Sequence, residues 1–229
     1  MELTWLGHSA FSLKVASGEV TLIDPFHEGN PSYPAAHRID RCDAILLSHG
    51  HGDHLGSTVD LANRFQPQVV AIYELATWLE GKGVGRTIGM NKGGTLDLGF
   101  LRATMTNAHH SSSGPDNVYL GEAAGFVIEA NGKRLYFAGD TCVFGDMRLI
   151  AEIHGPFDVA VLPIGDLYTM GPKEASYACR LLRPKMVVPM HWGTFGALTG
   201  TPEALGKLIA DLPGTRIAQL SPGDTLAVE

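Results

Sequence analysis

The chain has 229 residues, 45% of them hydrophobic and 18% charged. That balance excludes a disordered chain and supplies enough sequence for a sizeable core. Seventeen Lys and Arg against 24 Asp and Glu give a net charge of −7, which argues against the broad basic footprint of a nucleic-acid binder.

No apolar run approaches the roughly 20 residues of a membrane span, so no membrane partner is expected. Cys42, Cys142 and Cys179 are odd in number and lack CxxC spacing. Neither a disulfide framework nor a thiolate zinc site is predicted. Residues 1–7 carry no basic segment followed by an apolar stretch and cleavage site, so a cytoplasmic location is expected.

In chain order, short strands are predicted over 3–6, 10–15, 20–23 and 44–47, bounded by Gly, Pro, Asp or Ser. A helix over 55–65, a buried strand over 69–72 and a helix over 74–80 follow, the last stopped by Gly81 and Gly83. Strands over 95–98 and 101–106 surround Gly99, and strands over 125–130 and 133–138 flank Asn131-Gly132, a strong hairpin signal. A helix over 146–153 and a strand over 159–162 come next. Pro172 opens a helix running to about 182, where its missing N–H costs nothing. A strand over 186–189, a helix from Thr201-Pro202 to about 212, and strands over 216–220 and 225–228 close the chain. Mixed strands and helices without a regular βαβ rhythm predict an α/β layered sandwich, with one domain over 1–229.

The densest chemistry is Ser48-His49-Gly50-His51-Gly52-Asp53-His54, directly after a predicted strand. Four potential metal ligands fall within six residues. Gly50 and Gly52 disfavour a single helical metal face and permit a tight turn that splays the imidazoles. The plainer reading is a polar loop of exposed histidines, but Gly–His alternation fixed at a strand end argues against it.

This run resembles the HxHxDH signature of the metallo-β-lactamase superfamily. The resemblance implies a four-layered αββα sandwich with a two-metal site at the edge of its sheets. Further pieces follow in order. Asp24 is similar to an early aspartate that supports the site, His110 to the third histidine of the first metal, Asp140 to a bridging carboxylate and His191 to the last ligand. Gly7-His8-Ser9, Leu162-Pro163-Ile164-Gly165-Asp166 and Tyr168-Thr169-Met170-Gly171-Pro172 resemble a compact branch of metal-dependent hydrolases. That branch is related to the lactonase that opens ascorbate-6-phosphate.

Carried over residue by residue, the resemblance implies one metal held by His49, His51 and His110. A second is held by Asp53, His54 and His191, with Asp140 bridging. His109 is the alternative to His110. Asp53 is the expected general acid/base, and His8 has an expected role beside it. Two divalent ions bring +4, the two aspartates return −2 and a hydroxide −1, leaving about +1 to stabilise an oxyanion. Zn²⁺ is the first expectation from the nitrogen-rich set, with Mn²⁺ or Fe²⁺ as alternatives. His51 stands where di-iron oxygen-reducing members of the superfamily carry Glu, so redox use is not expected.

The loops expected around the metals contain no Lys or Arg, whereas phosphate and nucleic-acid enzymes rely on such cations. They offer Phe26, His27, Ser111, Ser112, Ser113, Tyr168, Thr169, Met170 and Trp192. Tyr168, Thr169, Ser111 and His27 are the candidate substrate contacts, and Asp166 is either a support for a histidine or a helix-preceding cap. Phe26, Met170 and Trp192 are equally packing residues. His37 and His154 are expected to be exposed. The expected reaction is hydrolysis of a small neutral ester, lactone or amide. Cleavage of a phosphodiester or phosphorylated lactone is the second reading, and non-catalytic metal or ligand binding a third. The resemblance also implies that copies can assemble into a homo-oligomer, although no surface stripe marks an interface.

Overall fold

The computed structural model describes the backbone of residues 1–229 and every side chain except that of Asp116. The first sheet contains β1 (Glu2–Trp5), β2 (Phe11–Lys14), β3 (Val20–Ile23), β4 (Ala44–Leu46), β5 (Gln68–Ile72) and β6 (Thr87–Met90). The second contains β7 (Thr95–Asp97), β8 (Arg102–Asn107), β9 (Ala124–Ala130), β10 (Lys133–Phe137), β11 (Val159–Pro163), β12 (Met186–Met190) and β13 (Arg216–Ile217). The last strand, β14 (Thr225–Ala227), returns to the first sheet, giving the order β14-β1-β2-β3-β4-β5-β6 against β13-β12-β11-β10-β9-β8-β7.

Side-chain alternation explains why these strands form a layered structure. On β10, Leu135 and Phe137 join the core between the sheets, whereas Tyr136 joins a second cluster on the other face. On β11, Val159 and Val161 face inward, and Ala160 and Leu162 face outward. A strand buried on both faces reads as a continuous apolar run, as Val159-Ala160-Val161-Leu162 does. Phe11 and Phe137 meet edge-on across the two sheets, with ring centroids 6.0 Å apart.

Helices cover both outer faces. α2 (Thr58–Phe65) and α3 (Tyr73–Gly81) pack on the first sheet through Leu61, Leu75 and Leu79. α4 (Met147–His154), α5 (Pro172–Leu182) and α6 (Pro202–Leu208) cover the second through Met147, Ala175, Ala178 and Leu205. The predicted αββα sandwich is the fold found. Among the described residues, no helix is long and apolar enough to cross a membrane.

Three local differences from the sequence reading have physical causes. The helix predicted over 55–65 begins only at Thr58, as α2, because Leu55 ends a separate, unpredicted helix, α1 (Gly52–Leu55), and the chain turns at Gly56 with φ 46°. A Cβ at Gly56 would lie 2.6 Å from the Pro25 carbonyl oxygen, so only glycine lets the chain pass there. Gly52, read as a helix breaker, is instead the first residue of α1. β6 was not predicted, because Thr87, Ile88 and Met90 are only half-buried and show no clear alternation.

The parallel strands β3, β4, β10, β11 and β12 all deliver their C-terminal ends to one edge of the sandwich, where the loops carry the site. The loops after β11 and β12 touch closely. A Cβ on Gly200 would fall inside the Ile164 carbonyl oxygen, and one on Gly165 inside that of His191. Gly200→Ala is therefore expected to destabilise the fold by about 1–3 kcal/mol through overpacking, measurable as a lowered denaturant midpoint with unchanged slope.

Candidate metal centre

The site is organised from Asp24, which follows β3 and adopts φ 44°. Its carboxylate is fully buried and accepts three hydrogen bonds. The Ser48 N–H donates to Oδ1 at 2.7 Å, and the Ser48 hydroxyl donates to Oδ2 at 2.5 Å. His54 Nδ1 lies 2.8 Å from Oδ2. The Ser48 hydroxyl proton is committed to Asp24, so its oxygen accepts from His49 Nδ1 at 2.9 Å. One carboxylate thus fixes both His49 and His54 with the proton on Nδ1 and directs both Nε2 atoms away from it.

Those nitrogens meet the remaining candidates. His49 Nε2 and His51 Nδ1 are 2.9 Å apart, and the His110 ring centroid lies 5.2 Å from that of His49 and 5.1 Å from that of His51. His49, His51 and His110 each present one nitrogen within 4.8 Å of the others, as do His8, Asp53, His54 and His191 with their ligand atoms. Asp140 lies between the two groups. Its Oδ2 is 3.2 Å from His54 Nε2, 3.1 Å from His191 Nε2 and 3.6 Å from His110 Nε2.

The donor set fits metal ions. Buried His54 Nε2 and Asp140 Oδ1 lack hydrogen-bond partners, although buried polar atoms are ordinarily paired. Burial holds His49 well below the ordinary imidazole pKa and lowers His51 and His110 as well, favouring the neutral form that binds metals. Burial opposes charge on His54, yet Asp140 and Asp24 raise its pKa well above the ordinary value. Burial likewise opposes ionisation of Asp140, yet His54 and His191 hold its carboxyl well below the usual range. The field at the centre of the cluster favours positive charge, whether a proton or a metal ion supplies it.

Asp53 projects from α1 and bonds to His8, with Oδ2 3.0 Å from Nε2. His8 is fully buried and places Nδ1 3.1 Å from Thr194 Oγ1. Burial lowers the His8 pKa despite the Asp53 bond, and that bond keeps the Asp53 carboxyl low despite its own burial. His8, Asp24, Asp166, Leu167 and His191 all have φ between 44° and 70°, a costly conformation outside glycine that concentrates at functional sites.

Not every candidate joins the cluster. His109 stacks on Phe144 at 4.6 Å and 9°, so His110 is the member beside His49 and His51. Asp166 is exposed and accepts from the Leu167 N–H at 2.8 Å within its own loop, while the helix that follows is capped at Gly171 and not by the Asp166 side chain. Ser111 Oγ is 3.4 Å from His51 Nε2. Tyr168 is exposed, and the Thr169 hydroxyl donates to the Met170 carbonyl. His27 packs on Tyr33 at 4.4 Å and lines a cleft of about 270 Å³ with His37, Arg38 and Arg64, away from the cluster. Phe26 and Met170 are buried, and Trp192 stacks on Trp5, so these three are packing residues. The sequence reading missed Ser48 and Thr194. Ser48 immediately precedes His49, which was its only signal.

This sandwich and its histidine–aspartate cluster define a protein of the metallo-β-lactamase fold. Residues 20–192 match the family described as the beta-lactamase superfamily domain. A UPF0173 metal-dependent hydrolase from Solibacter usitatus is 52% identical over 227 residues, covering 97% of this chain and 98% of that one. The structure of Igni18, a metallo hydrolase from Ignicoccus hospitalis, is similar with a TM-score of 0.87 and 34% identity, over 98% of this chain and 97% of that one. An isothiocyanate hydrolase from Delia radicum gut bacteria shares the fold, with a TM-score of 0.75 at 21% identity over 99% of each chain. The chain belongs to the UPF0173 metal-dependent hydrolases of the metallo-β-lactamase superfamily.

Proposed function

We propose that this hydrolase cleaves a small uncharged ester, lactone or amide with two divalent metal ions, Zn²⁺ before Mn²⁺ or Fe²⁺, as one cytoplasmic domain. The observation that carries the reading is Asp140 Oδ2 standing within 3.6 Å of His54, His191 and His110, between two groups of converging ligand atoms. His49, His51 and His110 would hold one ion, Asp53, His54 and His191 the other, and Asp140 both. Such a pair supplies a water-derived nucleophile near neutral pH and offsets oxyanion charge.

The remaining work falls to this chain's own groups. Asp24 and Ser48 hold the imidazoles of His49 and His54 in the ligating tautomer. His8 donates to Asp53 Oδ2 and fixes its carboxylate, which besides holding the ion would take a proton from the attacking water and return it to the leaving group. Ser111, beside His51, is positioned to meet a polar atom of the substrate.

The absence of Lys and Arg from the surrounding loops supports a neutral substrate over a phosphodiester or phosphorylated lactone. Lys92 does reach the loop between β8 and β9, but its ammonium is bonded to Asn107 and Glu122, each at 2.7 Å.

The test combines metal analysis with a substrate panel. About two divalent ions per chain are expected after purification with metal, and fewer than about one would remove the dinuclear reading. Lactones, esters, thioesters, β-lactams and phosphodiesters are then assayed with Zn²⁺ or Mn²⁺. Preference for the phosphodiesters would overturn the choice of substrate class, and metal binding without turnover of any member would favour a binding role.

A further inference from the structure

Ten large apolar side chains are exposed among the described residues, and five of them lie on three loops beside the metal cluster. These five are Val118, Tyr119, Leu167, Tyr168 and Phe195. The first loop, between β8 and β9, packs on the histidine run: the Gly50 N–H donates to Ser112 Oγ at 3.1 Å, and Leu120 crowds Gly50. The second, after β11, is tied to the residue following Asp140, with the Met170 N–H donating to the Thr141 carbonyl at 3.1 Å. The third follows β12 and places the Phe195 ring 5.5 Å from that of His8.

Two further features make this more than scattered exposure. Leu167 is 67% exposed yet holds φ 52°, a conformation costly for a bulky residue that gains nothing by burial there. The three loops also contain no Lys or Arg, and Lys92 is already paired. An apolar rim around a polar floor is the usual make-up of a small-molecule site.

We propose that Val118, Tyr119, Leu167, Tyr168 and Phe195 form an apolar collar that receives an uncharged aromatic or branched aliphatic group attached to the scissile bond. The substrate class is thereby narrowed from any small neutral ester, lactone or amide to one with a bulky apolar substituent. This rests on the hydrolytic reading above. The collar binds the part of the substrate remote from the reacting carbonyl, while the histidine–aspartate cluster addresses the carbonyl itself.

Two measurements on the Zn²⁺-loaded protein separate the collar from that reading. The first compares kcat/KM for 4-nitrophenyl acetate, phenylacetate and succinate. The second uses calorimetry to compare acetohydroxamate with phenylacetohydroxamate, which bind metals without being cleaved. The phenyl member is expected to be favoured by about tenfold or more in both series, and Phe195→Ser with Tyr168→Ser is expected to collapse that ratio. Ile153→Ser, which removes an even more exposed apolar side chain on α4, should leave the ratio in place.

A phenyl preference among hydroxamates with no ester cleaved would overturn the hydrolytic reading and leave the collar standing. Equal hydroxamate affinities, or a preference for succinate among cleaved esters, would overturn the collar. So would an unchanged ratio in the double variant accompanied by dissociation of an oligomer in light scattering, since the five side chains would then pack between copies of the chain.

Discussion

Asp24→Asn is expected to weaken metal binding at both clusters together, by about 10–100-fold, although Asp24 itself contacts neither His51, His110 nor His191. The carboxylate accepts from the Ser48 hydroxyl and from His54 Nδ1 through the same oxygen. An amide nitrogen in that place turns both contacts round. It would donate to Ser48, whose hydroxyl proton would then point to His49 Nδ1, and it would face the proton on His54 Nδ1. Both imidazoles relieve the conflict by moving their proton to Nε2, the atom offered to the metals. Backbone strain does not confuse the result, because Asn accepts the φ of 44° as readily as Asp. Ser48→Ala interrupts only the branch to His49, so it should weaken one binding step and spare the other. Competition of Zn²⁺ against a chromophoric chelator resolves the two steps. Two unchanged affinities in Asp24→Asn would show that the tautomers are set elsewhere.

The legible part of this site is the part written in short range. His49, His51, Asp53 and His54 lie within six residues, and their spacing carries the chemistry before any fold is known. His110, Asp140 and His191 were marked by the resemblance to the superfamily, and their place after predicted strands only supports that assignment. Each follows a strand whose apolar run could be recognised, and the sheets bring those ends to one edge.

The hydrogen-bonded supports were harder to read. Ser48 is a generic residue at a strand end, and its role appears only when Asp24 stands 2.5 Å away. Thr194 bonds to a histidine 186 positions earlier, a separation no local pattern encodes. Side-chain direction was equally hidden. Phe26, Met170 and Trp192 have the composition of a binding pocket, yet they turn into the core or onto Trp5. Phe195 and Leu167 in the same loops remain outside. The glycines around Asp53 misled in the other direction, because a one-turn helix tolerates Gly52 at a cost of only about 1 kcal/mol, while Gly56 ends that helix one turn later.

Asp53→Asn is expected to lower kcat by roughly 10²–10⁴-fold on whichever substrate the panel identifies, with little change in thermal stability. The two effects separate because Asp53 has two kinds of contact. Towards His8 its carboxylate is only an acceptor, at 3.0 Å, and an asparagine oxygen can accept the same proton. Towards the reaction it is the proposed base, held ionised by the His8 bond against the effect of burial, and an amide can neither take nor return a proton. Asp53→Ala should lose the same activity and also about 1–3 kcal/mol of stability, because it strands the donor of a fully buried imidazole. Loss of metal is the competing explanation for either variant, since Asp53 also faces His54 and His191. Turnover is therefore compared at saturating Zn²⁺, with the bound metal counted in the same samples. An Asp53→Asn protein with full metal content and kcat within tenfold of the parent would remove Asp53 from proton transfer and leave it a ligand alone.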